Sequence, residues 1–334
     1  MNQTIFLIAL FILSSAVNTF AQEGNNPDST GHNPDTVNVG IYITSIHNID
    51  FKEKEYTINM WVWLKYKRPE FDFAKNLEVP MAKTFEKSYS TLDTLEDGTI
   101  YMLMKLQCVM KDSWKIKYFP FDQQKLRFTI ENSEYDATEL VFKEDTAGKH
   151  YSKWTTTAWT MIPDSFIIST SIKKYETAFG DPKSVKPASE YGVFRVNMGI
   201  ERDSWELFLK LFLGMYISFM LSYVCFYIHA DNIDSRFNLS VGALFAVVGN
   251  KYIIDSSLPE STSFTLVDSL HGLTLLFVFT VVACSIHSLR LARQDKLKEA
   301  NRFDFIAAQV LLAIYLAFNI YFIYTACHPE AGMG

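Results

Sequence analysis

The chain has 334 residues, of which 49% are hydrophobic and 15% aromatic, which is high for a soluble protein. Its formal net charge of −6 argues against general binding to nucleic acid, so we expect no nucleic-acid partner. The absence of CxxC, HExxH and similar clusters from the sequence predicts no metal site, and we expect no cofactor. Charged residues become sparse after Asp203, so two different segments are joined end to end.

The amino-terminal segment is typical of an exported protein. Residues 1–21 resemble a secretory signal, with an apolar core at 5–13 and a small residue, Ala21, at its end. A membrane helix is the alternative, but the apolar run is shorter than the ~20 residues that a span needs. Residues 22–36 are polar and rich in Asn, Asp, Gly and Pro, which predicts a flexible tether.

Residues 37–203 are predicted to form an all-β sandwich. Short runs of β-branched and aromatic residues alternate with turn signals, and Asp97-Gly98 between two such runs predicts a hairpin. Cys108 has no partner cysteine in this segment, so the domain must be held together by its core. The predicted strands include 41–46, 56–66, 100–110, 126–131, 140–142, 156–162, 166–172 and 192–200.

Residues 204–329 are predicted to form a four-helix transmembrane bundle in a lipid bilayer. Four apolar stretches, at about 207–228, 235–255, 263–287 and 303–325, each approach the length needed to cross the membrane. The connection at 288–302 is rich in Lys and Arg, which places it in the cytoplasm by the positive-inside rule. Both termini are therefore expected outside an inner (plasma) membrane, in the periplasm or extracellular space.

The second span is the most polar of the four, and polar residues within a membrane usually face a bundle interior or water. At 3.6 residues per turn, one stripe of this helix is predicted to line a pore. The stripe contains Asp234, Asn238, Gly242, Phe245, Gly249, Tyr252 and Asp255.

Around a symmetry axis, Asp234 would form a carboxylate ring that favours cations. Phe245 is predicted to be the main gate and Tyr252 a second constriction. The alternative is that Gly242 and Gly249 are close-packing sites in a monomeric bundle. Lys251 lies off the stripe, and we expect it to extend towards the membrane surface rather than to pair with the acid one turn later.

The segment Phe119-Pro120-Phe121-Asp122-Gln123-Gln124 resembles the signature of the pentameric ligand-gated (Cys-loop) receptor family. The resemblance extends from about 37 to 324 and includes Trp61-Val62-Trp63, Arg202 and Leu258-Pro259. Asp112 and Leu126 stand where the name-giving cysteines would lie, and the loop at 288–302 is short. Both features resemble the bacterial branch, whereas the first span lacks the family's proline and has Gly214 or a neighbour there.

The resemblance implies a homopentamer with a central pore for monovalent cations and a small-molecule agonist at the subunit interfaces. The ligand-binding positions that it implies are Glu131, Tyr175 and Tyr191 on one face and Trp61 on the complementary face. Aromatic rings with a carboxylate favour an amine-like ligand. Two residues argue against it: Ser133 stands where the family often has an aromatic residue, and Lys83 falls in a segment that often lines the site. The interdomain coupling positions that it implies are Phe119, Pro120, Phe121, Asp122, Arg202 and Pro259.

Other functions are open at this point. Carboxylates and His47 or His150 could make the channel proton-gated. A membrane-anchored periplasmic sensor or enzyme is a second alternative. The sequence has no nucleophile–base arrangement that would support catalysis, so we expect that the chain is not an enzyme. A secondary transporter would usually have repeated halves, which the sequence lacks.

Overall fold

The computed structural model describes residues 33–145, 150–152, 159–180 and 188–328. The predicted signal segment and most of the predicted tether lie outside these residues, as do parts of the predicted strand at 156–162. The first strand already begins at Asp35, within the last part of the predicted tether.

The amino-terminal part is a sandwich of two sheets. One sheet has the strand order β4-β5-β2-β1-β7, and the other has the order β3-β6-β10-β8, with β9 also paired to β10. A single helical turn, α1, covers Phe73–Asn76. The strands are β1 Asp35–Asp50, β2 Glu55–Tyr66, β3 Leu77–Glu78, β4 Ala82–Thr94, β5 Ile100–Lys111, β6 Gln124–Asn132, β7 Leu140–Glu144, β8 Thr160–Met161, β9 Ile167–Tyr175 and β10 Ser189–Glu201.

Among the described residues, the named strands pair antiparallel except for β1 and β7, which pair in parallel. The hairpin predicted at Asp97-Gly98 joins β4 to β5, and Gly98 has a φ of 77° that only glycine adopts readily. Gly40 is required for a different reason, because a Cβ at this position would lie 2.1 Å from the Trp63 ring.

The core of the sandwich is built from alternate residues of the paired strands β2 and β5. Met60 and Val62 are fully buried, and their partners in the register, Leu106 and Met104, are buried as well. The odd-numbered neighbours point the other way, as the two-residue period of a strand requires. Cys108 belongs to this core, and burial raises the pKa of its thiol to about 12, so it stays protonated.

The carboxy-terminal part contains four helices that are long and apolar enough to cross a membrane. They are α2 Ser204–Tyr223, which continues into a 3-10 turn at Val224–Tyr227, α3 Ile233–Asp255, α4 Leu266–Ala292 and α5 Leu297–Cys327. The last helix begins earlier than the predicted 303, because the basic stretch is itself helical on both sides of a short turn at 293–296. The chain is a membrane protein with a sheet-rich domain in front of its spans.

Polar contacts join the helices to one another. Asn250 of α3 donates to the Leu211 carbonyl of α2 at 3.1 Å, and its side-chain oxygen lies 2.9 Å from the His271 ring of α4. Gly214 lets α2 approach this amide, since a Cβ there would lie 3.2 Å from the Asn250 nitrogen. In the bundle interior, Phe219 stacks on Tyr315 with ring centroids 3.7 Å apart.

A buried ion pair fixes the first turn of α3 to the first turns of α5. Arg236 Nη2 donates to Asp304 Oδ2 at 2.6 Å, and the two side chains are only 1% and 3% exposed. Arg236 Nε donates to the Ile228 carbonyl at 3.1 Å, and Ser288 of α4 donates to Asp304 at 2.8 Å. Removing one partner of such a pair leaves an uncompensated buried charge.

Replacing Asp304 with alanine is expected to cost about 3–5 kcal/mol of stability, because Arg236 would stay buried without its carboxylate. Thermal unfolding of detergent-purified protein measures the effect. The exposed pair between Lys210 and Glu206, also 2.6 Å apart, is a matched control, and Glu206→Ala should leave the unfolding temperature close to that of the wild type. Equal unfolding temperatures for the two variants would contradict this interpretation.

Candidate functional site

A buried ion pair lies where the sandwich joins the helices. Arg202, at the end of β10, donates from Nη2 to Asp122 Oδ2 at 3.1 Å, and the two side chains are 12% and 2% exposed. Asp122 follows Phe119-Pro120, a cis peptide, in the loop between β5 and β6. Gln124 Nε2 also donates to the Asp122 carboxylate. Asp122 and Arg202, two of the six positions expected to couple the domains, are therefore in direct contact.

Aromatic rings surround the Arg202 guanidinium. Its Cζ lies 4.1 Å from the Trp159 centroid, 4.6 Å from that of Phe51 and 5.0 Å from that of Phe119. Burial lowers the pKa of the guanidinium, and the nearby Asp122 opposes this effect. Arginine stays protonated at any physiological pH. The rings and the carboxylate together stabilise a charge that has left water.

The same loop reaches two of the membrane helices. The Phe121 ring lies 5.0 Å from that of Trp205 and 5.4 Å from that of Phe208, both in α2. The backbone amide of Leu266, the first residue of α4, donates to the Lys117 carbonyl at 2.8 Å. Pro259 is buried in the connection between α3 and α4.

One continuous hydrophobic core crosses this junction. It includes Ile200 at the end of β10, Phe212 of α2, Val247 and Ile254 of α3, and Leu270 of α4. Because core packing in proteins is dense, this shared core joins the base of the sandwich to the helix ends.

The predicted ligand residues Glu131, Tyr175 and Tyr191 lie together. The Tyr175 hydroxyl donates to Glu131 Oε2 at 2.6 Å, and the Tyr175 and Tyr191 rings are 5.9 Å apart and edge to face. Phe179 adds a further ring 5.4 Å from that of Tyr175. We call Glu131, Lys173, Tyr175, Phe179 and Tyr191 the Glu131 cage.

Lys173, which was not among the predicted ligand residues, also belongs to this cluster. Its Nζ lies 3.1 Å from Glu131 Oε1 and 2.5 Å from the Tyr175 hydroxyl. A sequence signal existed, because Lys173 precedes Tyr175 by two residues on a strand and must share its face.

Trp61 lies elsewhere in the chain. It belongs to β2, in the sheet that does not contain Glu131. The centroid of its ring lies 5.8 Å from that of the Tyr89 ring. Lys83 forms an ion pair with Glu55 at 2.8 Å, and Ser133 donates to the Asn76 carbonyl at 3.2 Å. Within one chain, Trp61 and the Glu131 cage are therefore separate.

The predicted pore stripe lies on the exposed face of α3. Phe245 is 68% exposed and Tyr252 is 75% exposed, and the other predicted positions are exposed as well. The buried residues of the helix are Arg236, Ser240, Ala243, Val247 and Ile254, which lie on the opposite side. A Cβ at Gly242 or Gly249 would meet nothing within 4 Å, so neither glycine is a packing site among the described residues.

The expectation that Lys251 would not pair with the acid one turn later is wrong. Lys251 contacts Asp255 at 2.6 Å and Asp268 of α4 at 2.8 Å. The two carboxylates hold the ammonium between the end of α3 and the start of α4. Asp255 is consequently held at the edge of the stripe nearer to α4.

No protein-family model matches the chain. The chain is 22% identical to the proton-gated ion channel of Gloeobacter violaceus over 325 residues, which cover 87% of this chain and 85% of that protein. The comparison confirms the resemblance to the pentameric ligand-gated ion channel family that the segment around Pro120 predicted.

Proposed function

We propose that the chain is one subunit of a homopentameric, cation-selective, ligand-gated ion channel. The observation that carries this proposal is the exposed stripe of α3, which faces away from the bundle that packs its other side. The similarity to a proton-gated ion channel supports the same function and favours a channel over an enzyme.

A single copy of α3 cannot enclose a water path. Exposed Asp234 and Asn238 are costly in lipid, so this face requires either water or polar partners. Closed cyclic symmetry supplies both, because each copy turns the same face towards the axis. The number five comes from the resemblance to the pentameric family.

The stripe has the properties of a selective and gated pore. A ring of Asp234 at the basic, cytoplasmic side would attract monovalent cations, and Asn238 would form an amide ring above it. Phe245 is the proposed gate, because a ring of exposed phenyl groups would exclude water when closed. Tyr252 is the proposed second constriction, with the wider levels of Gly242 and Gly249 around Phe245.

The proposed stimulus is a small molecule at the subunit interface, between the Glu131 cage of one subunit and Trp61 of the next. Its effect would pass through Asp122 and Arg202 to the ends of α2 and α4, where Phe121 and Lys117 make contact. Pro120 and Pro259 would stiffen the two loops involved.

The proposed location is the inner (plasma) membrane, with residues 1–21 as the export signal and 22–36 as a tether. The sandwich at 37–203 and the carboxy terminus would lie in the periplasm or outside the cell, and the basic turn between α4 and α5 in the cytoplasm.

Proton gating is a second candidate, favoured by the activity named for the Gloeobacter violaceus relative. Carboxylates, His47 or His150 would be the titrating groups. The His150 ring stacks on that of Phe166, just before β9, with the ring centroids 5.5 Å apart. Its Nδ1 lies 3.2 Å from the carbonyl oxygen of Ile41 in β1, so His150 contacts both segments.

Purified protein in liposomes distinguishes these functions. Discrete current steps evoked by a small amine support ligand gating, and steps evoked by lowering the pH from about 7 to about 4, where carboxyl and imidazole groups titrate, support proton gating. Substrate flux without current steps would instead indicate a transporter.

Asp234→Lys is expected to reduce or reverse the cation preference, because the carboxylate ring becomes a ring of ammonium groups. The reversal potential under a salt gradient measures this change. Glu299→Lys, the same change of charge on exposed Glu299 of α5, is the control and should leave the reversal potential unaltered. If the two variants match the wild type, Asp234 is not part of the selectivity filter.

Phe245→Ala is expected to give a resting leak or easier opening, because the ring that excludes water is removed. Current without agonist is the measurement. Phe279→Ala on α4 removes a ring that is 65% exposed, similar to the 68% of Phe245, and is the matched control. A resting current as low as that of the control would exclude Phe245 as the gate.

Arg202→Ala is expected to leave pentamers intact but to lose the agonist response or to shift the half-maximal concentration about tenfold or more, because a charge-assisted contact at the junction is lost. Size-exclusion chromatography checks assembly, and agonist-evoked current checks coupling. Arg195→Ala on the same strand is the control. Normal gating by Arg202→Ala pentamers would refute the coupling role.

A further inference from the structure

The Glu131 cage already contains a cation supplied by the chain itself. Lys173 Nζ lies 3.1 Å from Glu131 Oε1, 2.5 Å from the Tyr175 hydroxyl and 4.2 Å from the centroid of the Tyr175 ring. This is the combination of carboxylate, hydroxyl and aromatic face by which an ammonium ligand is recognised.

The strand register brings these groups together. Lys173 of β9 is directly opposite Tyr191 of β10, and Tyr175 follows two residues later on the same face. Glu131 comes from β6, which pairs with the other edge of β10. Because three paired strands position the cage, the lysine is held by the fold of the sheet and not by a loop.

Both carboxylate oxygens of Glu131 are satisfied within the chain. Lys173 takes Oε1 and Tyr175 takes Oε2, while the Glu131 side chain is only 4% exposed. A buried carboxylate without these partners would be costly. Glu131 consequently offers no uncompensated charge to an incoming cation.

The lysine in the cage is charged. Burial alone would lower the pKa of Lys173, but its hydrogen bonds to Tyr175 and Glu131 outweigh burial and raise this pKa. Burial and the bond to Glu131 raise the pKa of Tyr175, so its hydroxyl stays protonated and continues to donate. The cage thus holds a charged lysine and a neutral phenol, both hydrogen-bonded to Glu131.

We propose that Lys173 is a tethered ammonium that occupies the amine position of the Glu131 cage, so that a free primary amine binds only by displacing it. This inference rests on the proposed ligand-gated function and makes Lys173 the residue that determines specificity at that site. The lysine side chain is 38% exposed, which leaves the ammonium a path out of the cage into solvent. Two ammonium groups cannot share one carboxylate without repulsion.

Removing the lysine should turn the cage into a free amine site. Lys173→Met retains the length of the apolar stem but leaves Glu131 and the Tyr175 ring without their cation. Affinity for a primary amine is expected to rise about ten- to a hundredfold, the range for hydrogen bonds to charged groups. The double variant Lys173→Met/Glu131→Gln should lose this gain, because the carboxylate that binds the ammonium is absent.

Isothermal titration of n-butylamine into the purified, full-length protein tests the proposal. Lys174→Met is the matched control, since exposed Lys174 follows on the same strand and points to the other face. Tight binding by Lys173→Met together with weak binding by the wild type, the double variant and the control is the expected result. Equal affinities of the wild type and Lys173→Met, or no binding by a folded Lys173→Met, would overturn the proposal.

A second variant covers the case in which Lys173→Met does not fold. Lys173→Cys, prepared with n-butylamine present, is expected to bind the amine until an aminoethyl thiosulfonate reagent restores an ammonium by forming a disulfide with the new thiol and releasing a sulfinate. The methyl reagent, which adds no charge, should leave binding intact. Equal effects of both reagents would contradict a tethered cation.

Currents in liposomes separate this inference from the proposed function. If Lys173→Met gains amine affinity but no variant carries current, the channel function fails and the tethered cation stands. If amine evokes the same currents at the same concentrations in the wild type and Lys173→Met, the tethered cation fails and the channel function stands.

Discussion

A polar face on a membrane helix must be given water or a polar partner. The stripe of α3 is exposed along its length, and Asp255 at its end pairs with Lys251. The other side of α3 is fixed to the bundle at both ends. Arg236 contacts Asp304 at the end away from the sandwich, and Asn250 contacts Leu211 and His271 towards the sandwich. Because these contacts set the rotation of the helix, Phe245 cannot turn into the bundle without breaking them. The exposed stripe is therefore imposed by the packed side.

The junction between sandwich and helices depends on the same principle, a charge held out of water by fixed partners. Arg202 contacts Asp122 and three aromatic rings at once, and the loop that carries Asp122 also contacts α2 and α4. Such a contact has few alternative geometries. It therefore connects the β-domain to the helix ends more rigidly than an exposed ion pair would.

The Glu131 cage and the Arg202 junction are connected by one strand, β10. A channel subunit needs a site that changes occupancy and a junction that transmits the change. Here the strand that carries Tyr191 is β10, which ends at the residue before Arg202. Displacement of Lys173 would break its side-chain contact with Glu131, which links β9 to β6 across β10, the strand that leads to Arg202.

Much of this architecture could be predicted from the sequence, since it depends on local patterns. The apolar length of the spans predicted four membrane helices, and Asp97-Gly98 predicted the β4–β5 hairpin. The stripe of α3 followed from helical periodicity alone, and the structure places it on the exposed side.

The contacts that could not be predicted from the sequence join residues that are distant along the chain. The ion pair of Arg236 with Asp304, the rings of Phe51 and Trp159 around Arg202, and the contact of Lys251 with Asp268 join separate elements, and no local period reveals them. Lys173 differs, because its two-residue spacing from Tyr175 was visible. The distance to Glu131 was needed to show that the lysine occupies the cage.

Thiol labelling along α3 tests the central claim most directly. Single cysteines introduced at positions 234–256, in a protein whose native cysteines Cys108, Cys225, Cys284 and Cys327 are replaced, would be treated with a charged, water-soluble thiol reagent during current recording in liposomes. If α3 lines the pore, block will recur with the 3.6-residue helical period and will be strongest at Asn238, Phe245 and Tyr252. Labelling that leaves the current unchanged at these positions, or that has no helical period, would contradict the account.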